Sequence, residues 1–156
     1  MAEYRQLVDF SNAFTVAIVQ SMAELSLGVP LIWSQMSKAF EKSAKGLLKD
    51  AGVTNTGRDI PSIVNSFANA IKSVGLCQRV NLLEVSDSKL VIDIGECVLA
   101  PATRILAAKY PTLIPPCPML AILAGAIQSA TGKTSRIDGC VLKLEENTRI
   151  FTIKLD

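Results

Sequence analysis

The sequence predicts an α+β domain in which helices pack on a four-stranded antiparallel sheet made of two hairpins. Three observations carry that expectation. Large apolar residues recur at three- and four-residue steps up to Gly75; the period then falls to two; and it falls to two again after Gly132. The resulting order, three helices, a hairpin, two helices and a hairpin, is that of a helix-covered antiparallel sheet.

The opening helix is expected over Glu3 to Leu27, with Leu7, Phe10, Phe14, Ile18, Met22 and Leu25 on one face and Gly28 as its stop. Pro30 suits the first turn of a second helix with a Trp33, Met36, Phe40, Ala44, Leu47 stripe, ended by Gly52. Asp59 can cap a third helix that carries Pro61 in its first turn and Ile63, Val64, Phe67, Ala70, Ile71 and Val74 along one side. Arg79 to Ser86 and Lys89 to Glu96 alternate as strands, turning near Asp87 and Ser88. A fourth helix runs from Pro101 to about Lys109, and a fifth from Cys117-Pro118 to Thr131, closed by Gly132. The fifth has no charge on any side, so it belongs inside the protein, where Ala121, Ala124, Gly125 and Ala126 let another element or a ligand approach closely. The last hairpin is expected over Thr134 to Glu145 and Thr148 to Asp156, with Cys140, Leu142, Leu144, Phe151, Ile153 and Leu155 facing inward.

At 156 residues the chain suits one domain, burying roughly two-thirds of its unfolded surface. Its apolar fraction of 49% exceeds what a small core needs, so the excess must fill a thick core, a subunit interface or a cavity wall. The stretch from Tyr110 to Gly132 is uncharged, but Pro111, Pro115, Pro116 and Pro118 break it, so no transmembrane segment is expected. No signal-peptide pattern opens the chain, where Glu3, Arg5 and Asp9 stand among the first residues, and a cytoplasmic protein with reduced thiols is expected.

The chain has no histidine and four widely spaced cysteines, Cys77, Cys97, Cys117 and Cys140. Without imidazole there is no Ser-His-Asp or Cys-His relay and no His-ligated metal, which favours binding over catalysis. Cys117 stands at a helix start, where the helix dipole favours thiolate; it is the best nucleophile or acylation candidate, against the alternative of a buried cysteine acting as a small hydrophobe. Cys97, Cys117 and Cys140 together form a weaker candidate zinc site, since the close CxxC pairs of structural zinc are missing. Lys38, Lys42, Lys45 and Lys49 share one face of the second helix; a solvated surface is favoured over nucleic acid, and peripheral contact with an anionic membrane remains open. Gly132-Lys133-Thr134 mimics the end of a phosphate-binding loop, but Ile127 occupies the position of its first glycine. Asp93, Glu96 and Asp138 lack the spacing of an acid/base pair and are assigned to solvent or local capping.

The segment Cys117-Pro-Met-Leu-Ala-Ile-Leu-Ala-Gly-Ala-Ile-Gln-Ser-Ala-Thr-Gly-Lys, with Gly139-Cys140 and the terminal Arg-Ile-Phe-Thr-Ile, resembles the C-terminal signature of the 4-vinyl-reductase-like family. The element order is similar to that of the Bet subunits of the transport protein particle. The resemblance implies the NO-signalling/Golgi-transport ligand-binding-like fold, in which helices and an antiparallel sheet enclose an apolar tunnel for small molecules or acyl chains. It covers roughly the last forty-five residues; Ile150 stands where the family commonly has a cysteine before the aromatic Phe151.

These readings converge on a binding domain for a small hydrophobic molecule or acyl chain, acting as sensor or scaffold and forming a homodimer through its apolar first helix. Candidate wall residues are Phe14, Ile18, Met22, Trp33, Phe67, Cys117, Met119, Leu120, Leu123, Ala124, Leu142 and Phe151. The alternatives are a ligand-free homo-oligomeric assembly protein and a cysteine-dependent enzyme.

Overall fold

The structure, a computed structural model, describes residues 58–111, 117–143 and 145–156, together with Arg5, Val8, Ser11, Ala13, Thr15 to Ile18 and Gln20. Those N-terminal residues are helical, in keeping with the expected opening helix. The second helix with its lysine face, the Pro115-Pro116 cluster and Leu144 lie outside the described residues.

Helix α1 spans Ile60–Ser73 and starts as its sequence dictates: Asp59 accepts hydrogen bonds from the Ser62 amide at 2.9 Å and the Ser62 hydroxyl at 2.8 Å, and Pro61 fits the first turn. It ends in a Schellman turn, with Leu76 N–H bonded to the Ile71 carbonyl, Gly75 N–H to that of Lys72, and Gly75 at φ 74. The Ser62 hydrogen bonds hold the Asp59 carboxyl below its usual pKa. The cap therefore stabilises above the ordinary carboxylate range, and its contribution is lost as pH falls through the lowered folded value. Asp59→Asn, which keeps an acceptor without the charge, should flatten the fall in stability seen below roughly pH 4, as read from acid-unfolding midpoints.

Strands β1 (Cys77–Val85) and β2 (Lys89–Cys97) form the first hairpin; helices α2 (Ala100–Lys109) and α3 (Pro118–Thr131) follow; β3 (Ser135–Lys143) and β4 (Thr148–Leu155) form the second. The sheet has 4 strands in the order β1-β2-β4-β3, every neighbour antiparallel, so the hairpins join through β2 and β4. Leu90, Ile92 and Ile94 alternate onto one face, Phe151, Ile153 and Leu155 line up beside them, and α1 and α3 cover that face. Gly132, at φ 77, closes α3.

Two irregularities escape a strict period of two. In β3, Ile137 opposes Ile153 and Gly139 opposes Thr152, so a bulge at Asp138 returns both Ile137 and Cys140 to the core side. In β1 the register shifts between Leu82 and Glu84, leaving Leu83 55% exposed. The Gly132-Lys133-Thr134 run is structural: Lys133 Nζ donates to the Asp87 carbonyl at 2.6 Å, and Thr134 pairs its backbone with Asp156.

Candidate functional site

The same alternation that buries Phe151, Ile153 and Leu155 carries Arg149 onto the core face of β4, between Ile94 and Leu142 on the flanking strands. Its relative exposure is 6%. Nη1 donates to Thr103 Oγ1 at 2.8 Å, and the guanidinium lies 5.9 Å from the Phe151 ring centre. Thr103, in the first turn of α2, donates its hydroxyl hydrogen bond to the Leu99 carbonyl at 3.1 Å. Among the described residues Nη2 has no hydrogen-bond partner, and no carboxylate pairs with Arg149. Desolvating an ion without a counter-charge costs several kcal/mol. A cation kept at that cost is a candidate for function rather than stability.

Cys97, Cys117 and Cys140 surround this cation closely enough to act on it electrostatically. β2 reaches Cys97 through Glu96, whose φ of 52 is left-handed and whose amide donates to the Asn147 carbonyl at 3.0 Å. Burial pushes the Cys117 thiol up, against the opposing pull of Arg149 and the Leu120 and Met119 amides at the start of α3. The activated thiolate anticipated at this helix start is thus overridden by desolvation. Burial likewise pushes Cys77 to about 12 and Cys140 to about 11. At pH 8 a thiol of pKa near 11 is on the order of a hundredfold less ionised than a free cysteine. A maleimide time course on the native protein should therefore label Cys77, Cys117 and Cys140 slowly, and all three promptly after denaturation; rapid native labelling of Cys117 would restore the nucleophile. Among the described residues no group of three Cys, Asp or Glu side chains is placed to hold a metal ion.

Helix α3 is buried over Met119, Leu120, Ala121, Leu123, Ala124, Gly125, Ala126 and Ile127. Of the expected wall residues, Phe67, Cys117, Met119, Leu120, Leu123, Ala124 and Phe151 meet in one apolar cluster. Leu142 is half-buried and lines a separate cleft beside Arg149, while Ile18 is 40% exposed. Phe14, Met22 and Trp33 lie outside the described residues.

On the opposite face of the sheet Asp93 is not solvated as expected. Arg79 Nε approaches its carboxylate to 3.1 Å without hydrogen-bond alignment, and Thr148 Oγ1 donates to it. The Arg79 side chain lies directly over Gly95, where a Cβ would come within 2.8 Å of Nε. Sequence reasoning missed Arg149 altogether. The signal was present, since Arg149 precedes Phe151 by two residues in a strand whose alternate positions face the core.

No protein-family model matches the chain, and no curated protein matches it. Solved structures do. A trafficking protein particle complex subunit 3 from Naegleria fowleri, covalently bound to palmitic acid, superposes with a TM-score of 0.62 at 16% identity, over 96% of this chain and 95% of that one. The phenol-responsive sensory domain of the transcription activator PoxR, with phenol, gives a TM-score of 0.60 at 14% identity, over 92% of this chain and 74% of that one. The chain shares the fold of these two proteins. Among the described residues no helix is long and apolar enough to cross a membrane.

Proposed function

We propose that the chain is a binding module for a small hydrophobic molecule or acyl chain, held between the uncharged helix α3 and the core face of the sheet. The observation that carries this reading is α3 itself, a 14-residue helix with no charge and a run of small residues at Ala121, Ala124, Gly125 and Ala126, buried against Phe67 and Phe151. Small side chains on a buried helix leave width for a guest that large ones would fill. The palmitic acid and phenol in the two similar structures support an apolar guest. A cysteine-dependent reaction is disfavoured by the raised thiol pKa values of Cys117 and Cys140.

Native mass spectrometry with 1-decanol and phenol tests the reading. One molecule retained per chain, lost when Ala124→Phe narrows the space beside α3, is the expected result. Failure to retain either compound would remove it.

A further inference from the structure

We propose that Cys77 and Cys97 are a redox pair that a small hydroperoxide closes to a reversible disulfide, Cys97 being the thiol that reacts first and Cys77 the one that resolves it. The two are Cα partners at the end of the β1–β2 ladder, and both belong to the core cluster, at 1% and 5% exposure. One step outward, Val98 N–H bonds the Leu76 carbonyl at 3.0 Å, so the cysteines occupy a non-hydrogen-bonded position of the antiparallel pair. Facing Cα atoms at such a position stand about 4.5 Å apart, inside the range of roughly 4.4–6.8 Å that a disulfide spans. Strict alternation from Ile94 would send Cys97 to the outer face of the sheet. Glu96, left-handed at φ 52, turns it back, and Gln78 and Glu96 are the exposed pair between the two core positions. A non-glycine residue held in that conformation, here keeping two sulfurs on one face, is the kind of outlier that gathers at functional positions.

The surroundings assign the two roles. Cys97 Sγ accepts the Leu99 amide at 3.3 Å and lies close enough to the Arg149 guanidinium to feel its charge, so both meet the negative charge that sulfur carries into an attack. That gives the unpaired buried cation a use. Burial, and after it the neighbouring Cys97, pushes the Cys77 thiol to about 12, so Cys77 enters with its proton. In the first step the Cys97 thiolate attacks one peroxide oxygen; an S–O bond forms, the O–O bond breaks, and the other oxygen leaves as water or alcohol with the proton that Cys97 gave up. In the second, Cys77 sulfur attacks Cys97 sulfur; the S–S bond forms, the S–O bond breaks, and the hydroxyl leaves as water with the Cys77 proton. The two thiols lose two electrons and the peroxide gains them. Burial of both sulfurs selects a small oxidant of the hydroperoxide class over a bulky disulfide. The closed bond would tie the turn after α1 to the segment leading into α2, whether or not α3 borders a guest.

The test treats the reduced full chain with hydrogen peroxide and maps the products by non-reducing tryptic digestion and mass spectrometry, since lysines and arginines separate each cysteine from the next. A cross-link between Cys77 and Cys97 in preference to any other pair, reversed by dithiothreitol, is the expected result. It should form roughly tenfold more slowly in Arg149→Met and at an intermediate rate in Arg149→Lys. In Cys77→Ser, dimedone should trap a sulfenic acid on Cys97; in Cys97→Ser, none should form on Cys77. If a serine variant does not fold, the mapping on the unsubstituted protein and the Arg149 rates decide. Cross-links made chiefly to Cys117 or Cys140, oxidation of Cys97 to sulfinic acid with no cross-link, a rate indifferent to Arg149→Met, or no reaction of either thiol would overturn the proposal.

Discussion

Leu120→Ala should lower the free energy of unfolding by about 2–5 kcal/mol, the range for deleting a fully buried leucine side chain. Leu120 has 0% relative exposure and sits in the first turn of α3 among Met119, Leu123 and Phe151. Truncation removes its transfer free energy and leaves a hole that the sheet behind it, pinned by hydrogen bonds on both sides of β2 and β4, cannot close. Urea unfolding would show this as a lower midpoint with an unchanged slope. A change within about 0.5 kcal/mol, as at surface positions, would mean that α3 is not the buried layer described here.

Arg149→Met should act in the opposite direction, raising the stability of the ligand-free protein by about 1–4 kcal/mol. Methionine keeps much of the length of the arginine stem and can lie against Phe151 while shedding the cost of a desolvated charge. Thr103 would lose an incoming donor, yet its hydroxyl still reaches the Leu99 carbonyl. The sign of the change is diagnostic. Breaking a buried ion pair costs about 3–5 kcal/mol, so a loss of that size would show that Arg149 already has a counter-charge within the chain. A gain in stability is the expected result.

Much of this architecture was legible in the residues because the local signals agree with one another. Asp59 with Ser62, Pro61 and Gly75 delimit α1; Pro118 and Gly132 delimit α3; and Leu90, Ile92, Ile94 and Phe151, Ile153, Leu155 mark the core face of the sheet. The bulge at Asp138 was not legible, because a strict alternation assigns Ile137 and Cys140 to opposite faces and only the pairing with β4 shows that both turn inward. The joining of the hairpins through β2 and β4 is likewise a tertiary outcome, set by which apolar faces must share one layer. Of the candidate site, α3 and its neighbours were readable from the absence of charge. Arg149 was not recognised, because a basic residue in an alternating strand is ordinarily the outward member of the pattern. Cys117 shows a further limit: a helix start marks where a thiolate is favoured, but the cost of burying it is set by elements distant in sequence.

The most direct test of a guest held against α3 is a crystal structure of the protein grown with 10-bromodecanoic acid, read from the anomalous signal of bromine. A peak within about 4 Å of Leu123 or Phe151, the distance of apolar contact, is the predicted result. Bromine found only on the outer surface, with Met119, Leu120, Leu123 and Phe151 packed into a solid core, would contradict it.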